Sequence, residues 1–262
     1  MTFTVAQPRQ RLAAQTVLRL AALELRLLRR ELSVLVALLG FPVVTVLVLA
    51  GVFGSTPDPE FGGLVPSEHY VVGYVGIVLA SLGLITLPAL IAERRERGVL
   101  RRFEASGVSG GMLVAVYSVV GAVLGTIASA LVLLVGGLIY GLPAPANPVA
   151  TIAWFLVGLA CVIAIGGALG LLMPTGRAAT AVGNLIFIPM FLLGGGGPPR
   201  DVMTGPMQTI SDALPLSHLV GGLRLSWLGS TDDPHALWWP VLVAVIATAV
   251  AVRIARRATS AR

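Results

Sequence analysis

Eighteen arginines, with no lysine beside them, sit around long apolar runs in an order that admits few folds. An Arg at the centre of a bilayer costs roughly 2.5–3.5 kcal/mol on insertion scales, and an excess of Lys and Arg marks the cytoplasmic side. Read as six membrane spans, the chain puts every arginine but Arg200 and Arg224 on one face. Residues are 56% hydrophobic and only 11% charged. A soluble domain is about 25% charged, so this chain could not cover a water-facing surface. In a soluble protein the net charge of +6 would suggest nucleic acid. Here the clusters read as positive-inside anchors and contacts to anionic lipid, with no nucleic-acid partner.

The expected spans are 33–53, 70–92, 113–139, 149–173, 178–193 and 237–252. The first has 21 residues, which rise about 31 Å as a helix, close to the roughly 30 Å hydrocarbon core. Arg9, Arg11, Arg19, Arg26, Arg29 and Arg30 precede it. Arg94, Arg95, Arg97, Arg101 and Arg102 follow the second span, Arg177 joins the fourth to the fifth, and Arg253, Arg256, Arg257 and Arg262 follow the sixth. Opposite loops are acidic or uncharged, so both termini are expected in the cytoplasm. Arginine without lysine, with abundant Ala, Val and Gly, points to a high-GC genome and a bacterial plasma membrane. The apolar run begins only near Leu32 and no small-residue cleavage site precedes it, so the first 30 residues do not read as a secretory signal.

Two further segments stand out. Residues 15–32 read as an interfacial amphipathic helix, with Arg19, Arg26 and Arg30 on one side and Leu18, Leu25, Leu28 and Leu32 roughly opposite. Residues 194–236 form a long, apolar outer segment. The run Gly194 to Arg200 ends the fifth helix abruptly, and short re-entrant or surface helices are expected from Asp201 to Trp227. The fold class is therefore all-α, one integral membrane domain over residues 1–262.

Several chemistries are excluded. Gly107-Val108-Ser109-Gly110-Gly111 matches G-x-S-x-G literally. That chemistry needs a histidine base, and His69, His218 and His235 all fall on the opposite face. There is no clustered metal-ligand spacing, and the lone Cys161 forms no intrachain disulfide. A Walker A loop needs a lysine, which this chain lacks, so no nucleotide or Mg cofactor is expected on it. The expected spans hold no ionisable group of the kind that ion-coupled carriers place at mid-membrane; Asn184 is read as a helix-to-helix hydrogen-bonding residue. Energy for uphill transport must then come from another subunit.

The cytoplasmic loop at 93–111 carries the functional signal. Val99, Leu100 and Phe103 alternate with Arg94, Arg97 and Arg101, so the first set can pack while the arginines reach outward at helical spacing. Gly98 breaks the helix or allows close approach of another backbone. In order, Glu93, Gly98, Val99, Leu100, Ala105, Ser106, Gly107, Val108 and Ser109 resemble the loop of type-2 ATP-binding-cassette (ABC) transporter permeases, a bacterial family that includes antibiotic-resistance exporters. The family pattern is a glutamate, a glycine five on, an apolar pair and a small-residue turn; Gly107 stands where proline is usual. Leu214-Pro-Leu-Ser-His-Leu-Val-Gly-Gly-Leu-Arg224 is similar to the family's Pro-Leu stretch ending in Arg before the last span.

The resemblance implies a permease that pairs with a separate ATPase subunit and a second copy of itself, two of each, with ATP and Mg on the partner. Segment 93–109 would be the coupling helix, with Glu93, Arg94, Arg97, Gly98, Leu100, Arg101, Phe103, Ser106, Val108 and Ser109 as its contacts. Closure of the ATPase dimer would rock the permeases between inward- and outward-facing states. Export of a lipophilic drug, lipid or related compound is the implied role. Two other readings compete with it: a carrier or channel that needs no ATPase, and a membrane enzyme or assembly factor, against which the missing catalytic constellation counts.

Overall fold

The computed structural model describes residues 8–31, 36–59, 63, 65–99, 110–229, 231 and 233–260. Every helix or turn below lies within them, and no strand occurs among them.

α1 (Pro8–Leu28) buries Ala21, Glu24 and Leu28 on one stripe against the side of the long helix Gly110–Tyr140, while Leu18, Leu23 and Leu27 stay exposed on its flanks. The expected apolar face is thus split: Leu28 and Leu25 face the bundle, and Leu18 faces outward. A π-helical turn, Val36–Gly40, leads into α2 (Phe41–Phe53). α3 (Pro66–Ser81) continues through a second π-helical stretch, Leu82–Thr86, into α4 (Leu87–Glu96). α5 (Gly110–Tyr140), α6 (Pro148–Leu172) and α7 (Gly176–Leu193) follow. After a 3₁₀ turn at Arg200–Val202 come α8 (Gly205–Ala213), α9 (Pro215–Leu228) and α10 (Trp238–Ser260).

Helix starts follow local chemistry. The Asn147 side chain accepts from the Ala150 amide at 3.0 Å, with Pro148 in the first turn, and opens α6. Thr175 does the same for α7 through Ala178 at 3.1 Å. Such caps satisfy amides that have no partner within their own helix.

Four helices are long and apolar enough to cross a membrane: Pro66–Glu96, Met112–Tyr140, Pro148–Leu172 and Gly176–Leu193. Phe41–Phe53 and Trp238–Ile254 are shorter apolar helices. The expected second span, 70–92, extends at both ends to Pro66–Glu96, and the π stretch lies within it without interrupting the helix. Of the first, 33–53, residues 36–53 are described and helical, and 33–35 lie outside the described set.

The helix Pro66–Glu96 is the hub. Its most apolar window is 83% buried, and α2, α5, α6, α7 and α9 surround it. At the π stretch, neighbours approach backbone to backbone. A Cβ at Gly166 would stand 2.9 Å from the Gly83 carbonyl oxygen, and one at Gly183 would fall on that of Leu84. Gly170 likewise meets Ile91 Cβ, at 2.7 Å, so the glycine pair of α6 serves packing within the chain. Outward faces are mostly apolar, with Leu138, Val149, Leu185 and Val245 among the exposed side chains. Apolar outer faces over long helices, around a helix buried on all sides, are the organisation of a multi-pass membrane protein.

Candidate functional site

The carboxyl end of the hub is where the coupling contacts were expected, and each charged side chain from Glu93 to Arg97 has a partner. Arg94 is 8% exposed and lies 3.2 Å from Glu24 and 3.6 Å from Glu31, at the end of α1 and just beyond. Glu24, itself 4% exposed, also accepts from the Tyr117 hydroxyl on α5 at 3.5 Å. Arg94 therefore departs from the sequence expectation: it turns inward. The outward face of the segment goes to Arg97, which pairs one turn back with Glu93. The physical reason is that α1 brings two carboxylates to the inner side, a long-range placement that helical spacing does not reveal.

The next two residues bind helix ends of matching polarity. Arg95 donates to the Leu171 carbonyl and, at 2.9 Å, to that of Met173, at the carboxyl end of α6. The Glu96 carboxylate accepts from the Gly176 amide at 3.2 Å, at the amino end of α7. Terminal carbonyls carry partial negative charge and terminal amides partial positive charge, so each ion meets the pole it complements. Arg95 and Glu96 were not among the expected contacts. Gly98 then turns the chain with φ +70°, a left-handed conformation natural to glycine. The remaining expected contacts, Leu100, Arg101, Phe103, Ser106, Val108 and Ser109, lie outside the described residues, as does Ser109's catalytic look-alike pentad for its first three positions.

A second cluster closes the opposite end. Arg224 on α9 is 1% exposed. Its guanidinium donates to the His69 carbonyl at 3.1 Å and the Gly195 carbonyl at 2.7 Å, and it pairs with Asp233. Gly73 makes room for it, since a Cβ there would lie 2.5 Å from a guanidinium nitrogen. The Tyr70 and Tyr74 hydroxyls donate to Gly197 and Gly196, both at 3.3 Å. Burial alone would raise the Asp233 carboxyl, but the Arg224 charge and hydrogen bond outweigh it and hold its pKa below the ordinary value. His218 links α8 to the start of α10: its Nδ1 accepts from the Ala236 amide at 3.0 Å and its Nε2 donates to the Asp212 carbonyl at 2.9 Å. Arg200 pairs with Asp212 through both carboxylate oxygens. The glycine-rich run after α7 and the Pro-Leu stretch ending in Arg224, separate motifs in sequence, are thus one structure.

No group of three or more metal-ligating side chains occurs among the described residues. What the arrangement offers is a buried central helix whose two ends are each fastened by charged networks to at least three other elements.

The helices define an integral membrane protein whose buried central helix is fastened at both ends by these networks. Residues 15–228 match the family model for ABC-2 type transporters, and the chain belongs to that family. It is a membrane-spanning permease of the ABC transporter class. No curated protein matches the chain.

Proposed function

We propose that the chain is the permease subunit of an ATP-driven exporter, that a separate ATPase docks on segment 93–109, and that two copies of each subunit assemble. The family normally works with an ABC ATPase. The observation that carries the docking site is the fastening of Arg94, Arg95 and Glu96 to α1, α6 and α7 immediately before the loop. A push on the loop would be delivered to three helices at once, which a freely solvated loop could not do.

The six-span arrangement, with both termini cytoplasmic in a bacterial plasma membrane, belongs to this reading. It takes α2 and α10 as spans beside the four longer helices and leaves α8 and α9 as outer, re-entrant helices. The second copy is supported by α7. Only 17% of its most apolar window is buried, and Asn184 lies exposed at its middle without a hydrogen bond among the described residues. A mid-span amide finds its partners across a protein interface or in a wet pathway, not in hydrocarbon. Apolar spans without ionisable groups between residues 110 and 172 favour lipophilic cargo.

The test is co-expression with neighbouring genes, purification in lipid nanodiscs and an ATP hydrolysis assay. A co-eluting Walker-motif subunit, lost on Leu100→Asp while the permease stays in the membrane, is the expected result. A chain that purifies alone and moves substrate without ATP is instead a carrier or channel.

A further inference from the structure

The segment just before α10 lies as a strap along α9. Arg224 pairs with Asp233. Gly221 lets the strap backbone rest on the helix, since a Cβ there would fall on the Pro234 carbonyl oxygen. His218 Nδ1 accepts from the Ala236 amide at 3.0 Å. Residues three apart share one side of a helix, so the strap runs antiparallel along the row 224, 221, 218.

These three holds differ in what acid does to them. Packing at Gly221 does not titrate, and the Asp233 carboxyl, held below its ordinary value, stays ionised in mild acid. His218 is different, because its partners fix its tautomer. An amide can only donate, so Nδ1 carries a lone pair toward Ala236. A carbonyl can only accept, so Nε2 carries the proton, given to Asp212 at 2.9 Å. The ring is 8% exposed. A second proton has one place to go, Nδ1, where it meets the Ala236 N–H. Two donors then face each other and the bond is lost, while the bond to Asp212 is kept.

The charges around the ring are already matched. On α8 the Asp212 carboxylate is bound by Arg200, and on the strap Asp233 is bound by Arg224. The exposed His235 ring bonds to the Asp233 carbonyl through its own Nδ1 at 3.0 Å. Asp232 lies outside the described residues. α6 meets α9 at Leu219 and Gly222, and its one titratable residue is Cys161. α10 has none between 238 and 252, and α7 has only Arg177, at its far end. α3, with Glu68, His69, Tyr70 and Tyr74, packs on the opposite face of α9, at Leu216 and Val220.

We propose that His218 is an acid-sensitive latch: a proton on Nδ1 releases the 234–236 end of the strap from α9, while Asp233 keeps the other end attached. α10 starts two residues further on, so release frees its amino end from α9. The Trp239 indole, which donates to the Ala213 carbonyl at 2.8 Å, remains as its link to α8. The latch lies within one copy of the chain and does not depend on an ATPase docking at 93–109.

The test is hydrogen–deuterium exchange of the purified chain in nanodiscs, resolved to single amides by fragmentation. Rates are taken at pH 8 and pH 5, the range over which histidine changes charge, each divided by the intrinsic rate at that pH. Protection of the Ala236 amide should fall about fivefold in acid, as loss of one hydrogen bond implies, with amides 219–226 unchanged. Asp233→Asn should still show the fall. His218→Gln has an acceptor and a donor but does not titrate, so its Ala236 protection should be the same at both pH values, whatever its level. Wild-type protection that does not change with pH would overturn the proposal. So would a fall of equal size in His218→Gln.

Discussion

Arg94→Met should be the most damaging single change at the carboxyl end of the hub helix, and more damaging than loss of its main partner. Removing one member of a buried ion pair typically costs about 3–5 kcal/mol, because the other charge is left uncompensated. In Arg94→Met the stranded charge is Glu24, 4% exposed, with only the Tyr117 hydroxyl at 3.5 Å to solvate it. The upper part of that range applies. Glu24→Gln leaves Arg94 beside Glu31 at 3.6 Å, in a network that still neutralises it. Its cost should be about 1–3 kcal/mol. The double variant strands neither charge and should be closer to wild type than the two single losses summed. In a chain of this length 1 kcal/mol moves Tm by roughly 2–4 °C, so Arg94→Met should melt at least about 8 °C low in nanodiscs. The order wild type, Glu24→Gln, Arg94→Met is the content of the argument. An Arg94→Met protein within 1 °C of wild type, or a reversal of that order, would refute the placement of Arg94 as an inner strut.

Gly183→Ala puts a methyl group on the Leu84 carbonyl oxygen and should cost about 1–3 kcal/mol or more, read as a lowered Tm, whereas Gly167→Ala, which faces open space, should be nearly neutral. Asn147→Ala removes the α6 cap and should cost about 0.5–2 kcal/mol, with Asn147→Asp retaining most of it. The Asp233 carboxyl is held below its ordinary value when folded, so its contribution is full above the unfolded pKa of about 3.9 and is lost as pH falls through the folded value. Tm of Asp233→Asn should therefore be lower than wild type at neutral pH and converge with it in acid. A constant gap from pH 7 to pH 3 would count against the Arg224–Asp233 pair.

The apolar runs and the arginine order made the helical membrane architecture legible, because the bilayer penalises charge so strongly that sequence spacing alone bounds the spans. The π stretch at Leu82–Thr86 was not legible. Its Gly-Leu-Ile-Thr sequence has no local signature, and its justification is the approach of Gly166 and Gly183 from other helices. Arg94 and Arg97 sit three apart and look equivalent on a helical wheel, yet one is buried and the other exposed. The difference comes from Glu24, about seventy residues away in the chain. Arg224 was noticed only as the last residue of a stretch; its partners His69, Gly195 and Asp233 come from three separate segments. Arg95 and Glu96 could have been suspected from their adjacent opposite charges beside a helix end, but not matched to the poles of α6 and α7.

The most direct measurement of the coupling assignment is photo-crosslinking from a reactive residue at Phe103, compared with the same group at Val202 near the opposite end, in cells expressing the chain with its neighbouring genes. The account predicts an ATP-binding-cassette subunit crosslinked from position 103, in a yield that changes with nucleotide, and none from position 202. Capture of that subunit from 202, or from neither position while the two proteins co-purify, would contradict it.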